Sequence, residues 1–341
     1  MNRRTFLCKT GLLAAASAIG THGVSGPKSY VQTVLGPVAA SSLGFTLVHE
    51  HIMCDFIGAD QTGRQRWDVE AVVKRMLPLL IQIKDRGVKS FFDCTPAFIG
   101  RDPRVLKRLA EASGIHIATN TGYYGGADDK FVPKQAYSET ASQLADRWVR
   151  EWEEGIEDTG VKPGFIKIGV DEIKKDAVAL SPIDDKIVRA SAQASRRTGL
   201  AVTCHTGGGA AGLRATKSFI EEKANPARFI VAHSDGHGLP INQQVAELGS
   251  WVSFDGISRR PLDEHVRLVG EMTKRHADHV LLSQDNGWYS VGQEDGGEIR
   301  DYNYICDVFL PALRKAGSSE ALIQKLTVQN PANAFALQRD L

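Results

Sequence analysis

Cysteine is scarce in this chain, and the cysteines present show no pairing pattern. Only 5 of the 341 residues are cysteine, and no two stand in Cys-x-x-Cys spacing. This spacing argues against a zinc ribbon and against a small disulfide scaffold. We expect four of them to be free packing residues: Cys54, Cys94, Cys204 and Cys306.

Excess charge of one sign is absent as well. The 41 Lys and Arg residues nearly balance the 40 Asp and Glu residues, giving a formal net charge of +1 without a long basic run. Such a surface does not favour nucleic acid or an anionic membrane as a partner. No fixed-period repeat, low-complexity tract or Pro/Gly-rich linker divides the chain. With 42% hydrophobic residues, the composition predicts one large globular domain.

The first 26 residues differ in kind from the rest. Arg3 and Arg4 precede a small, weakly apolar stretch at 11–20, a pattern that resembles a twin-arginine export signal. The stretch is too short to remain as a membrane-spanning helix. We predict a signal peptide at 1–26, recognition by the twin-arginine export machinery, and a periplasmic or secreted domain at 27–341. A basic tail before an apolar first helix is the alternative.

Beyond this segment, short apolar runs alternate eight times with helix-like segments. Most runs are too uniformly apolar for a sheet with one face in water, which favours a parallel sheet covered by helices. Eight strand–helix units in a single domain predict an α/β fold, a (β/α)8 TIM barrel whose site lies at the C-terminal ends of the strands. The runs end near His49, Asp93, Asn120, Gly169, His205, His233, Phe254 and Ser283.

Helix boundaries support this pattern. Asp102 precedes a proline and is placed as an N-cap, and Gly114 is placed as the C-cap of the same helix. Ser181 begins a later helix, with Asp184 placed as the acidic member of a capping box. Irregular stretches after the strand ends, such as 207–215, are candidate substrate loops.

Six potential metal ligands stand on five of the apolar runs. His49 and His51 are two residues apart, and side chains on a strand alternate with period two, so the two imidazoles share a face. Taken singly, His205 and His233 could be satisfied core histidines, and Asp285 could be a helix cap. Their coincidence at one end of a barrel favours a metal site. The other four are Lys167, His205, His233 and Asp285.

Lys167 is the most unusual of the six. It lies between two isoleucines, with Phe165 and Gly169 on its own face of the strand. An ammonium ion there would be costly to desolvate, which favours the neutral amine. A neutral amine can react with carbon dioxide to give a carbamate, and the two carbamate oxygens can bridge two metal ions.

In order and spacing, this set resembles the ligand set of the phosphotriesterase family of the amidohydrolase superfamily. The resemblance runs from about Val31 to Leu337 and includes Val34-Leu35-Gly36-Pro37 and the closing Gln329-Asn330-Pro331 segment. It implies a hydrolase with two divalent metal ions, usually zinc, on a distorted TIM barrel. The histidines of the His-x-His pair and Asp285 would hold one ion, His205 and His233 the other. Carbamylated Lys167 would bridge both ions, and Asp285 would also act as the base toward the attacking water.

Substrate assignments rest on the same resemblance. Tyr124 matches an aromatic position that contacts substrate in lactonase-like relatives, with a rim-covering loop aromatic as the alternative. Glu50 points away from its histidine neighbours on an ideal strand, so we assign it to packing or polar support beneath the site.

The chain also departs from the family pattern. Gly236 stands where many members carry an acidic residue, which leaves the proton-relay partner open. The arginine that follows the strand-seven aspartate in lactonase-like members is absent after Asp255, and Arg259 is the candidate substitute. His237 is a further candidate substrate contact, with an exposed loop histidine as the alternative.

The sequence therefore predicts an exported, binuclear metal-dependent hydrolase acting on lactones or other carboxylic esters. The alternatives are an organophosphate phosphotriesterase, an amidase on an acylated amine, and a metal-containing binding protein without turnover. The intact ligand set argues against the last. A small molecule is the expected partner, and the sequence leaves open whether the chain forms a homodimer.

Overall fold

A computed structural model describes residues 29–173 and 179–338 of the chain. The signal peptide predicted at 1–26 lies outside the described residues. In the part that is described, no helix combines the length and the apolar character needed to cross a bilayer.

Strands and helices alternate along the described chain. The strands are β1 (Ser29–Thr33), β2 (Gly36–Ala39), β3 (Phe45–Cys54), β4 (Val88–Asp93), β5 (His116–Ala118), β6 (Asn120–Thr121), β7 (Phe165–Val170), β8 (Val202–Thr206), β9 (Phe229–Val231), β10 (Trp251–Phe254), β11 (Val280–Leu282), β12 (Gly287–Ser290) and β13 (Leu337–Gln338). The α-helices are α1 (Val69–Asp85), α2 (Pro103–Ser113), α3 (Gln135–Ser138), α4 (Ala141–Glu154), α5 (Pro182–Thr198), α6 (Gly209–Glu221), α7 (Leu239–Glu247), α8 (Leu262–His276), α9 (Leu310–Lys315), α10 (Glu320–Gln324) and α11 (Asn330–Phe335).

The parallel strands form the TIM barrel that the sequence predicts. Hydrogen bonds join β6 to β11 in chain order, and they join β12, β3, β4 and β5 in a second group. β5 and β6 are two halves of one barrel position, since β5 pairs with β4 and β6 pairs with β7. β11 and β12 share another position in the same way, because β11 pairs with β10 and β12 pairs with β3. The distortion of the barrel lies at these two split positions.

Glu50 on β3 holds the split between β11 and β12 together. Its carboxylate accepts hydrogen bonds from the Ser283 hydroxyl at 2.8 Å and from the backbone N–H groups of Gln284 at 2.9 Å and Asn286 at 2.8 Å. The side chain is fully buried. The prediction that Glu50 gives polar support beneath the site is therefore confirmed.

Alternating side chains build two apolar layers. Ile166, Ile168 and Cys204 belong to the layer between the barrel and its helices. Phe92 and Phe165 fill the barrel interior together with Phe335, with ring centroids 4.3 to 5.7 Å apart. These apolar side chains fill the barrel beneath the polar residues at its other end.

The antiparallel strands β1, β2 and β13 lie across the opposite end of the barrel. β1 pairs with both β2 and β13. The Val34 N–H donates to the Ile117 carbonyl at 2.8 Å, and a Cβ on Gly164 would approach the Gln32 carbonyl to 2.3 Å. These contacts join the small sheet to the chain around β5 and β7, away from the candidate ligands.

The predicted helix boundaries are largely confirmed. The Asp102 carboxylate caps α2, and Gly114 ends it in a left-handed conformation with φ 73°. Ser181 caps α5. The capping box was wrong in one half, because the Asp184 carboxylate accepts the backbone N–H of Asp171 at 3.3 Å and not the backbone N–H of Ser181.

Two further expectations need correction. The first barrel strand does not end near His49 but continues to Cys54, because β12 prolongs its pairing. The stretch 207–215 is not a loop throughout, since α6 begins at Gly209. All four cysteines of the described chain are free, as predicted.

Candidate metal centre

The two histidines of β3 reach the barrel interior through an irregularity in the strand. Val48 packs in the interior layer, so ideal alternation would turn His49 outward. The register of β3 against β4 shifts between Leu47 and Glu50. A bulge of this kind re-aims the side chains that follow it. His49 and His51 consequently both line the cavity at the C-terminal ends of the strands.

Lys167 lies at the centre of the site. It follows Phe165 on the inward face of β7 and is only 1% exposed. Its Nζ is 3.1 Å from Nε2 of His49. Among the ion pairs of the described residues, none involves this amine. A buried lysine without a carboxylate partner is unusual, because desolvating an unpaired ammonium is costly.

His205 and His233 face each other across the site. Nδ1 of His205 lies 2.7 Å from Nε2 of His233. His205 projects inward from β8, whereas His233 follows β9 and adopts a left-handed conformation with φ 59°. On a regular strand His233 would face the same way as Phe229 and Val231, which pack toward the helices. The left-handed backbone of His233 turns its ring toward the cavity instead. Left-handed conformations of non-glycine residues cost on the order of 1–3 kcal/mol and are often found at functional sites.

Asp285 completes the group of candidate ligands and lies in the segment between β11 and β12. Its Oδ1 is 3.0 Å from Nε2 of His51 and 3.8 Å from Nε2 of His49. The backbone of Asp285 is left-handed as well, with φ 53°. Its other oxygen, Oδ2, lies 2.8 Å from NH1 of Arg259, whose NH2 also donates to the Asp285 carbonyl.

Asp255 is the principal residue that the sequence analysis did not assign to the site. Its fully buried carboxylate lies 2.7 Å from Nδ1 of His49 and 2.8 Å from Nδ1 of His233, and it accepts the His233 N–H at 2.8 Å. Both imidazoles thus present Nε2 to the cavity. Asp255 follows the last residue of β10 and therefore lies at the same end of the barrel as the ligands. This position in the sequence could have identified it.

Burial favours the neutral form of three of the candidate histidine ligands. Burial is the main cause that lowers the pKa of His49 to about 4, and burial also lowers the pKa of His51 and His205. Burial works to raise the pKa of Asp285, but the neighbouring histidines hold that pKa below its ordinary value. Neutral imidazole and ionised carboxylate are the forms that bind metal ions.

The donor atoms fit a metal centre. Within the described part of the chain, two sets have ligand atoms within 4.8 Å of one another: His49, His51 and Asp285, and His49, His233 and Asp255. The first is the predicted set for one ion. The second contains Asp255 in place of His205, but the Asp255 oxygens are already bonded to the Nδ1 atoms that point away from the cavity. The geometry therefore places Asp255 behind the histidines and leaves His205 and His233 facing each other inside.

A cavity of about 320 Å³ opens above these groups. Tyr124 and Arg259, the two candidate substrate contacts, line it, and the Tyr124 ring lies 4.8 Å from the His205 ring. Trp288 and Phe56 form an aromatic rim, 5.8 Å apart between ring centroids, and Arg259 lies 4.8 Å from the Trp288 ring. The remaining lining residues are His49, His51, Cys54, Cys94, Pro96, Ile99, Lys167, His205, Thr206, His233 and Asp285.

His237 is the one predicted site residue that does not line this cavity. It is 9% exposed, and its Nε2 lies 3.0 Å from the Thr206 hydroxyl. Gly236 and Asp235 belong to a short 3-10 turn that follows His233. Asp235 accepts the N–H groups of Asp255 at 3.2 Å and Gly256 at 3.0 Å, so it fixes the loop after β10 and does not face the cavity residues.

Fold and site together define a TIM-barrel protein with a buried histidine, lysine and aspartate cluster at the C-terminal ends of its strands. The sequence profile of the phosphotriesterase family matches residues 29–335. The chain belongs to the phosphotriesterase family.

Two relatives from bacteria match over more than nine-tenths of their own length. A phosphotriesterase homology protein of Mycobacterium tuberculosis is 30% identical over 90% of this chain and 98% of its own. A phospho-furanose lactonase of Mycoplasmopsis agalactiae is 26% identical over 90% of this chain and 91% of its own. Among solved structures, the organophosphorus hydrolase from Deinococcus radiodurans superposes with a TM-score of 0.78 and 28% identity, covering 91% of this chain and 98% of that one.

Proposed function

We propose that the protein is a hydrolase with two divalent metal ions, zinc in the first instance, that acts on lactones or other carboxylic esters. The observation that carries this proposal is Lys167, a buried amine 3.1 Å from Nε2 of His49 that makes no ion pair within the described residues. Carbamylation by carbon dioxide would convert it into the anionic ligand that joins the two groups of histidines.

The proposed ligand assignment follows the orientation of the rings. Nε2 of His49, Nε2 of His51 and a carboxylate oxygen of Asp285 would hold one ion. Nδ1 of His205 and Nε2 of His233 would hold the other, with the Lys167 carbamate shared between them. When bound, such ions bring the pKa of a bound water down to about 7 and polarise the substrate oxygen.

The chain's own residues would orient the reaction. Asp285 lines the cavity beside the histidine pair, so its free lone pairs can accept the proton released when the substrate is attacked. Arg259 holds Oδ2 of Asp285 at 2.8 Å, which restricts rotation of the carboxylate. Asp255 fixes two of the imidazoles from behind. Cavity walls such as Ile99 and Trp288 exclude water around the reacting bond.

The substrate class is proposed from the cavity. Apolar and aromatic walls suit the hydrocarbon part of an ester or lactone, while Tyr124 and Arg259 are the polar groups that can contact the acyl and leaving oxygens. A relative is named as a lactonase, which supports this choice. A solved neighbour is named as an organophosphorus hydrolase, so phosphotriesters are the second candidate; amides present a similar electrophile.

A substrate panel tests the proposed function. The domain at 27–341, loaded with zinc in the presence of bicarbonate, would be assayed with lactones, aryl esters, amides and paraoxon-like phosphotriesters at one pH. We expect the highest kcat/KM for a lactone or carboxylic ester. A preference for phosphotriesters would overturn the substrate assignment, and metal-loaded protein without turnover on any class would instead support a binding protein.

We also propose that the chain is exported by the twin-arginine route. The supporting observation is the Arg3-Arg4 pair before the apolar stretch at 11–20. Residues 1–26 can be fused to a reporter that is active only after folded export. We expect export to fall when both arginines are changed to lysine, and unchanged export would contradict the assignment.

A further inference from the structure

We propose that Thr95 is a positioning residue for His51: its hydroxyl accepts the Nδ1 proton of the ring and so keeps the Nε2 lone pair directed into the site. Thr95 lies in the segment that follows β4 and is 1% exposed. Its Oγ1 is 2.8 Å from Nδ1 of His51. The inference rests on the proposed metal centre, in which His51 is a ligand.

The tautomer of His51 decides whether this ring can bind a metal ion. A neutral imidazole has one protonated nitrogen and one nitrogen with a free lone pair. Nε2 of His51 faces the cavity side, 3.0 Å from Oδ1 of Asp285. Without a partner for Nδ1, the proton would be drawn to Nε2 by that carboxylate, and the lone pair would point away from the site. An acceptor at Nδ1 is therefore needed.

The surroundings of Thr95 make its hydroxyl an acceptor toward His51. A hydroxyl has one proton to donate, and the Thr95 hydroxyl can donate it to Oδ1 of Asp93 at 3.4 Å. Oδ1 of Asp93 acts as an acceptor at this place, because it also receives the N–H of Ile52 at 2.8 Å. The proton of the hydroxyl is thereby directed to Asp93, and the lone pairs of Oγ1 remain available for Nδ1–H of His51.

The segment that carries Thr95 is fixed on both sides. The side-chain amide of Asn120 donates to the Asp93 carbonyl at 2.9 Å and to the Thr95 carbonyl at 3.0 Å. Oδ1 of Asp93 also accepts the N–H of Ile52, the residue after His51, at 2.8 Å. The relative position of the hydroxyl and the imidazole is thus set by β3, β4 and β6 together.

His51 differs in this respect from the other ligands. Nδ1 of His49 and Nδ1 of His233 both meet the carboxylate of Asp255, which is a strong acceptor. The other neighbour of Nδ1 in His51 is Sγ of Cys54 at 3.8 Å, a weak partner. The orientation of His51 consequently depends on one hydroxyl group.

Thr95→Val tests the inference because it keeps the shape of the side chain and removes the hydroxyl. We expect its affinity for one of the two ions to fall by about 10–100-fold, the usual effect of losing a hydrogen-bond partner of a metal ligand. Thr95→Ser should retain affinity within about threefold of the unmodified protein. Thr119→Val is the matched control, since Thr119 is a buried threonine whose hydroxyl has no hydrogen-bond partner among the described residues.

A spectroscopic measurement tests the inference without any change at Thr95. In protein with ¹⁵N-labelled histidine, the His51 ring signals can be assigned by their loss in His51→Gln. We expect Nδ1 to carry the proton in metal-free protein and in Thr95→Ser, and a shift toward protonated Nε2 in Thr95→Val. A proton on Nε2 in the metal-free, otherwise unmodified protein would overturn the inference even if Thr95→Val failed to fold.

The outcomes separate this inference from the proposed function. Protein that binds no metal under any loading condition contradicts the metal centre itself. Protein that binds two ions with equal affinity in the presence of threonine and of valine at position 95 leaves the centre standing and contradicts the role of Thr95 alone.

Discussion

The carboxylate of Asp255 lies 2.7 Å from Nδ1 of His49 and is completely buried. The same carboxylate reaches Nδ1 of His233 at 2.8 Å, so one side chain orients two rings that belong to different proposed ions. A group in this position couples the two halves of the site. Its removal should therefore disturb the binding of both ions.

Asp255→Asn should lower metal affinity by at least about 10-fold. The amide oxygen of asparagine can accept a hydrogen bond from one imidazole N–H. Its NH2 group would face the N–H of the other imidazole, and two donors cannot pair. Competition with a chromophoric chelator measures the affinities. Asp278→Asn serves as the control, because Asp278 is exposed and pairs with Lys325. Affinity equal to that of the control would show that the histidines do not need Asp255.

Asp285→Asn should depress turnover of every substrate class. The substitution weakens a proposed ligand and removes the proposed base, and general base catalysis alone typically contributes about 10²–10⁴-fold. Rates should be compared at equal metal content, measured on the same samples. A variant that retains metal and most of its activity would remove Asp285 from the role of base.

Tyr124→Phe should act selectively on lactones. Tyr124 lines the cavity, and the substitution keeps its ring, whose centroid lies 4.8 Å from that of the His205 ring. We expect a loss of kcat/KM for lactones that is clearly larger than the loss for phosphotriesters. Equal effects on both classes would indicate that Tyr124 only shapes the cavity.

Asp184 should make stability depend on pH. Burial, with the nearby charges of Asp129 and Asp171, raises its pKa to about 7, although a hydrogen bond from the Asp171 N–H works in the opposite direction. The folded chain therefore holds a proton that the unfolded chain releases above about pH 4, and folding stability is lost as pH rises from there toward 7, at up to about 1.4 kcal/mol per pH unit.

Asp184→Asn should remove this dependence. Relative to the unmodified protein, the variant should gain stability as pH rises from 4 to about 7 and show little further gain above it. Urea unfolding of metal-free protein at several pH values measures the difference. Asp146→Asn, at an exposed position that pairs with Arg197, is the control. A difference that does not vary with pH would contradict a raised pKa.

Much of the site could be predicted from the sequence because it follows from strand geometry. On the strands that carry Lys167 and His205, side chains alternate between the layer under the helices and the barrel interior. Because this alternation has period two, the position of each residue along its strand is enough to place it inward. The barrel brings the ends of separate strands to one face, which explains why residues far apart in the chain could be grouped before any contact was known.

Other features depend on backbone details that the sequence does not encode locally. The register shift in β3 lets Val48 and His49 both face inward, and single left-handed residues turn His233 and Asp285 toward the cavity. The contact of His49 with Asp255 joins positions 206 residues apart. Such features are set by tertiary packing of the whole barrel, so alternation and end positions alone could not give them.

Metal content measured together with the chemical state of Lys167 tests the account most directly. Protein loaded with zinc and ¹³C-bicarbonate should contain two ions per chain and show one carbamate carbon signal. Lys167→Ala should lose the signal, most of the metal and the activity together, with partial recovery by short carboxylates. One ion or none, with Lys167 unmodified, would contradict the bridged centre.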